Sequence, residues 1–312
     1  MKRAAVLGSM LAAAVPSRAF SQTQSQPLIR IGGSPTDLYA EPFIALEAGF
    51  FAKAGLNVEV SSLANGSAIA AAVAGGALEI GLADMIQIAN AVQRGLPFAF
   101  FAGGGLYQTE APILAMCVAK TAAFASPKDL EGQTIALVAL KSITEAAVKE
   151  WLVRGGADPS KVRFFELPYA EMNPALQRGA IGAAFIGEPF LSASKADIRV
   201  LGKSYDAVGP SFYISAFFGV RDWLAKNAET ARKLTTALYE AARWANTHHE
   251  DSAKILVNYA KLDLERVRAM NRTTYATSLD IRAMQPVLDI AVRYSLIAKP
   301  TPASDLVVRI PT

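Results

Sequence analysis

The chain has 312 residues and 52% hydrophobic content, enough to bury one large core or two smaller ones. Of its 31 basic residues Lys2, Arg3 and Arg18 fall in the first 21 positions; the remaining 28 nearly balance 27 acidic ones, and no basic patch argues for nucleic acid. A single cysteine, Cys117, excludes an internal disulfide and any cysteine-cluster metal site.

Lys2 and Arg3 precede an apolar run over 4–15, and Ala19-Phe20-Ser21 is a small-x-small exit before Gln22. Residues 1–21 therefore read as a secretory signal peptide, which places the mature chain in the periplasm. Nothing after residue 21 reaches the roughly 18 consecutive apolar residues that a membrane span needs.

Residues 28–105 read as strand, helix, strand, helix, strand, helix, strand. Apolar residues Phe43, Ile44, Leu46, Phe50 and Phe51 recur at helical spacing and Gly55 ends that helix. Strands are expected at 28–31, 56–60, 78–82 and 98–101, with polar turns at 34–37 and 65–67 and Asp84 at the start of a helix. In an open parallel sheet the turns after the strand carboxyl ends share one edge, where ligands bind. Ser34, Asp37, Asn65, Gly66, Ser67 and Asp84 should thus face one crevice. Gly103-Gly104-Gly105 lacks a following lysine and reads as a flexible turn rather than a phosphate loop.

After an apolar strand at 111–118, which holds Cys117 as a buried thiol, the pattern repeats. Strands are expected at 134–138, 162–167 and 183–186, helices at 145–153 and 170–176, and a polar turn at 141–144. The stretch 76–84 has its counterpart in 179–188: helix end, buried strand, then a carboxylate, Asp84 in one and Glu188 in the other. Two such α/β units imply two lobes around a cleft. Lobe 1 is expected to comprise 28–118 with 212–312, lobe 2 to comprise 123–205, and hinge crossings to lie near 118–123 and 205–211. Asp84 and Glu188 would face each other across the cleft or cap helices. Residues 211–220 read as a further strand that crosses back, and the rest is helical: a short helix at 222–226, 228–246 with Ala231, Leu234, Leu238, Ala241 and Ala242 on one face, 253–260 capped by Asp251-Ser252, then 264–270 and 281–297, the helical tail packed on lobe 1.

The run from Pro42 to Phe51, followed by Gly55-Leu56-Asn57-Val58-Glu59-Val60, resembles the opening motif of the substrate-binding proteins of ABC transporters for nitrate, sulfonate, taurine and thiamine-pyrimidine precursors. Leu130-Glu131-Gly132-Gln133-Thr134 resembles the start of that family's second lobe, and Ala175 to Ala184 with Glu188-Pro189 resembles its second-lobe signature. Glu79 stands where the family often has an aspartate. The resemblance implies an α/β, two-lobed periplasmic-binding-protein fold, each lobe a mixed, mostly parallel sheet flanked by helices. It implies a receptor that closes on a small ligand and delivers it to an ABC permease in the inner membrane. Carried over by position, its ligand-binding residues are Ser34, Asp37, Tyr39, Asn65, Gly66, Ser67, Asp84, Ser142, Thr144, Glu188 and Tyr213.

Helix N-termini after Asn65 and Lys141 would hold an anion, whereas Asp84 and Glu188 would hold amino or imino groups. With both carboxylates in the cleft, a nitrogen-containing heterocycle is favoured over a sulfonate or other anion, and Tyr39 and Tyr107 would stack on its ring. The rival reading is an enzyme of pyrimidine-precursor synthesis on the same fold. Its candidate groups are few: His248 and His249 in a polar helical stretch, and Lys141. No catalytic residue, metal or cofactor is expected, and the chain is expected to act as a monomer.

Overall fold

The computed structural model describes residue 1 and residues 26–310. The expected signal peptide therefore lies outside the described residues. Two five-stranded sheets carry the chain. In the first, the spatial order is Asn57–Ser62, Leu28–Gly33, Ile80–Ala83, Ala216–Val220, Phe98–Gly103. In the second it is Arg163–Glu166, Thr134–Leu137, Ala183–Gly187, Leu114–Ala119, Ile198–Gly202. Each sheet has four strands running one way and one, the fourth in this order, running against them.

That matching order is the internal repeat, and its odd strand carries a correction. The apolar run at 111–118 was expected in lobe 1. Leu114–Ala119 instead pairs with Ala183–Gly187 and with Ile198–Gly202, inside the second sheet. The first crossing thus moves from 118–123 to the stretch between Gln108 and Leu114. Each sheet takes its antiparallel strand from chain arriving from the other unit, as Ala216–Val220 does in the first sheet. An apolar run announces a buried strand but carries no address for which sheet it joins.

The two connections pair with each other: Gly105–Gln108 and Ser211–Tyr213 form antiparallel partners, Tyr107 opposite Phe212, with Thr274–Tyr275 on the other side of Gly105–Gln108. The glycines before them are no flexible turn. Gly103 and Gly104 are buried, and a Cβ on Gly104 would stand 2.7 Å from Leu82 Cδ1. Glycine is required there because the chain leaves one sheet against packed neighbours.

Helix starts follow local chemistry. Asn65 Oδ1 accepts from Ala68 N–H at 3.0 Å to open Gly66–Ala74, and Asp84 Oδ1 accepts from Ile86 and Gln87 N–H at 2.8 and 2.9 Å to open Met85–Gln93. The long helix Ala228–Ala245 buries Ala231, Leu234, Leu238, Ala241 and Ala242, as its period predicts, and the first four pack with Ile29, Ile31, Leu82 and Phe217 of the first sheet.

Two helix boundaries differ from expectation. The helix of Asp251 begins at His249, with Asp251 in its first turn; an acid favours a helix start equally from either place, so sequence does not separate them. The last long helix stops at Arg293, and Ser295 takes a φ of 55°. That helix, Ile281–Arg293, also departs from packing on lobe 1 alone. It contacts both Met85–Gln93 of the first unit and Ile143–Arg154 of the second. Glu150 accepts hydrogen bonds from Arg293 Nη1 and from the Tyr294 hydroxyl, both at 2.8 Å, which ties the tail to the second unit.

Candidate functional site

The carboxyl edges of the two sheets face each other across a cavity. Each unit lines it with the turns after its three leading parallel strands. In the first, Ser34 and Thr36 to Tyr39 follow Leu28–Gly33, Asn65 and Gly66 follow Asn57–Ser62, and Asp84 and Gln87 follow Ile80–Ala83. In the second, Ser142 to Thr144 follow Thr134–Leu137, Tyr169 follows Arg163–Glu166, and Gly187 with Glu188 ends Ala183–Gly187. Ile113, Tyr205 and Ile214 from the connections, Leu114 at the start of its strand, and Thr273 from the tail join the lining, with Ala64, Val138 and Ala139 beside the strand ends. The cavity offers about 70 Å³ to the centres of water-sized molecules, where one water needs roughly 10–15 Å³. Among its lining residues there is no lysine, arginine or histidine.

The carboxylates differ in their commitments. Asp37, 1% exposed, is tied down: its Oδ1 accepts from Arg272 Nε at 2.9 Å and its Oδ2 from Thr273 N–H at 2.5 Å. It lines the cavity with its charge matched by Arg272. Asp84 caps its helix and lines the cavity at once. Burial pushes its carboxyl up to about 7, against the opposing pull of N–H groups of Gln87, Ile86 and, from the other unit, Ile143. Glu188 likewise accepts from Ser192 N–H at 3.0 Å and Ser192 Oγ at 2.8 Å, and burial raises its pKa above the ordinary carboxylate range. Capping and facing the cleft are therefore compatible for both acids.

The first turn of Ile143–Arg154 has no cap from its own Ser142. Ser142 Oγ donates to Ala139 O at 2.7 Å and lies 2.7 Å from Thr144 Oγ1. Of the expected residues Ser34, Asp37, Tyr39, Asn65, Gly66, Asp84, Ser142, Thr144 and Glu188 meet at the cavity. Two do not. Ser67, one residue beyond Gly66 and so turned about 100° around the helix, accepts from Gln87 Nε2 at 3.0 Å outside the cavity lining. Tyr213 gives its hydroxyl proton to Ser278 O at 2.8 Å and accepts from Asp280 N–H at 3.0 Å, so the tail holds it away from the cavity.

Tyr107, expected to stack on a ligand, is instead buried in the connection with its hydroxyl donating to Asp206 at 2.5 Å. Lys141 lies outside the cavity lining, with its N–H donated to Glu145 at 2.6 Å. His248 stacks on Trp244 with ring centres 5.1 Å apart, also away from the cavity. Cys117 is buried within the second sheet, where burial pushes its thiol up to about 12. Among the described residues no cluster of metal-binding side chains occurs, and no helix is long and apolar enough to cross a membrane.

Sequence reasoning missed Tyr169, Gln87, Thr273 and Tyr205. Tyr169 stands in the second unit where Asn65-Gly66 stands in the first, so the repeat itself could have found it. Gln87 lies in the first turn of the helix that Asp84 caps. Thr273 and Tyr205 arrive through long-range packing and have no local signal.

The chain is 27% identical over 267 residues to the bicarbonate-binding protein CmpA of Synechococcus elongatus, covering 77% of this chain and 59% of that protein. It is 28% identical over 171 residues to the taurine-binding periplasmic protein of Escherichia coli, covering 53% of this chain and 50% of that protein. It thus spans less than two thirds of the length of these curated relatives. In fold it resembles the periplasmic aliphatic sulphonate binding protein SsuA of Escherichia coli, with a TM-score of 0.75 at 17% identity over 92% of this chain and 94% of that one. The alkanesulfonate-binding SsuA of Xanthomonas axonopodis pv. citri, bound to MOPS, gives 0.76 at 19% identity over 91% and 99%. With the family model described as NMT1/THI5 like matching residues 39–252, well over half of its length, the chain belongs to the NMT1/THI5-like family.

Proposed function

We propose that the protein is an extracytoplasmic solute receptor that captures a small polar ligand between its two lobes and hands it to an ABC permease of the inner membrane. The observation that carries this reading is the cavity: two like sheets turn their carboxyl edges to one space in which hydroxyls, amides and carboxylates are set among apolar side chains. The enzyme alternative loses its support, since neither histidine, Lys141 nor Cys117 lines that space. The relatives' names, bicarbonate, taurine and sulphonate, set the ligand's scale as small and charged or polar.

The lining argues for a particular charge. Within the cavity lining Asp84 and Glu188 have no basic neighbour, Lys195 acting on Glu188 from outside it, so in their ionised forms they would repel a bare anion. A ligand with N–H donors, a nitrogen-containing heterocycle or an ammonium-bearing zwitterion, would instead receive charge-assisted hydrogen bonds. Closure about the paired connections 105–108 and 211–213 would bring the two carboxylates onto one ligand, with the protein acting as a monomer in the periplasm.

Thermal-shift screening of the chain from residue 22 onward tests this, against 4-aminopyrimidine, taurine, methanesulfonate, nitrate and bicarbonate. Ligand at a hundredfold its Kd stabilises by about 2.7 kcal/mol, so the binding class stands out as a rise in Tm. Asp84→Asn and Glu188→Gln keep shape and capping ability, and each should weaken an N–H-bearing ligand about ten- to a hundredfold. A bare anion bound by the parent, and bound more tightly by Asp84→Asn, would refute the assignment of charge.

A further inference from the structure

Buried polar side-chain atoms nearly always find a partner. Here the Tyr205 hydroxyl, Thr273 Oγ1 and Gln87 Oε1 are buried without one, and all three residues line the same cavity. Tyr205 is 0% exposed and Thr273 is 3% exposed. Tyr205 lines the cavity together with Asp84, Tyr39 and Tyr169, and its buried hydroxyl has no partner.

The Tyr205 ring is locked by the hinge. It meets Tyr107 and Phe212, which are cross-strand partners in the two paired connections, edge-on with ring centres 5.2 and 5.4 Å apart. It meets Phe185, on a central strand of the second sheet, at 5.0 Å. Its short helix, Ser204–Ala207, lies on the second connection and packs against Ile143–Arg154, whose first residues line the cavity. One side chain therefore belongs to the cavity lining and packs its ring against residues of both connecting strands.

We propose that Tyr205 is the ligand-sensing residue of the hinge: its hydroxyl bonds the captured solute, and its ring couples that bond to lobe closure. The inference rests on the receptor reading and deepens it. The phenol has one proton to give; a ligand that presents an acceptor to it and an N–H donor to Asp84 or Glu188 carries the adjacent pairing found in an aminopyrimidine. Closing the empty cavity strands the hydroxyl, whereas closing it on such a ligand satisfies it, which makes binding favour the closed arrangement.

Tyr205→Phe removes the hydroxyl and keeps the ring. The ligand-free variant should unfold at or above the parent's temperature, because no hydrogen bond is lost. Its affinity for 4-aminopyrimidine, measured by calorimetry, should fall about three- to tenfold, the size of one neutral hydrogen bond, and Thr273→Val should act in the same direction. A Tyr205→Phe protein that binds 4-aminopyrimidine like the parent overturns the inference while leaving the receptor reading intact. If the parent itself binds neither 4-aminopyrimidine nor taurine, the donor-bearing ligand class falls and the inference falls with it.

Discussion

Asp37→Asn should destabilise the fold by about 3 kcal/mol, because it leaves a guanidinium nearly buried without its counter-charge. The Arg272 side chain is 10% exposed and that of Asp37 1%, so water screens neither charge well. Arg272 keeps hydrogen bonds to His249 O at 3.0 Å and Ser252 Oγ at 3.3 Å, which holds the loss near the lower end of the 3 to 5 kcal/mol range for breaking a buried pair. At roughly 2 °C per kcal/mol for a chain of this length, Tm should drop by about 6 °C, and urea midpoints followed by circular dichroism should move with it. The double change Asp37→Leu with Arg272→Met should recover most of the loss, since it leaves no orphan charge. Ligand affinity of the folded Asp37→Asn protein should stay within about threefold of the parent's, as the carboxylate is committed to Arg272 and Thr273. A single variant within about 0.5 kcal/mol of the parent, the scatter of ordinary surface substitutions, would refute the reasoning by showing that the pair contributes little in solution.

Burial raises the Asp84 carboxyl to about 7 and Glu188 in the same direction, so the folded state holds their protons more tightly than the unfolded chain does. The stability this contributes is complete below the ordinary carboxylate range and is lost as pH rises toward about 7. Thermal scans of the ligand-free protein at constant ionic strength should show a lower Tm at pH 8 than at pH 5.5. Asp84→Asn should flatten that slope, and an equally steep slope in the variant would exclude Asp84 as its source. Changing Arg293→Met together with Tyr294→Phe leaves Glu150 only its bond from Arg154 Nε at 3.1 Å. Because the Arg293 side chain is 59% exposed, the expected cost is modest, about 1 to 2 kcal/mol. Small-angle scattering should show a larger ligand-free radius of gyration once the tail no longer holds the second unit; an unchanged radius would deny that tie any role in setting the lobe arrangement.

The sequence by itself determined whatever depends on near neighbours along the chain. The strand-to-helix turns at Asn65 and Asp84, the buried face of Ala228–Ala245 and the repeat that pairs Asp84 with Glu188 were legible because capping and amphipathic spacing act over three or four residues. Since parallel strands present their following turns on one edge, Ser34, Asp37, Asn65, Gly66 and Asp84 could be assigned to the cavity before any packing was known, and the family resemblance added Tyr39, Ser142, Thr144 and Glu188. Tertiary structure decided what the chain brings together from a distance. It placed Leu114–Ala119 in the second sheet, because an antiparallel slot is filled by whichever strand crosses over. It matched Asp37 with Arg272, 235 residues away, in an ion pair that no local signal announces. It also delivered Tyr205 and Thr273 to the cavity with polar atoms unpartnered, since the satisfaction of a buried group depends on every element packed around it and on none of its sequence neighbours alone.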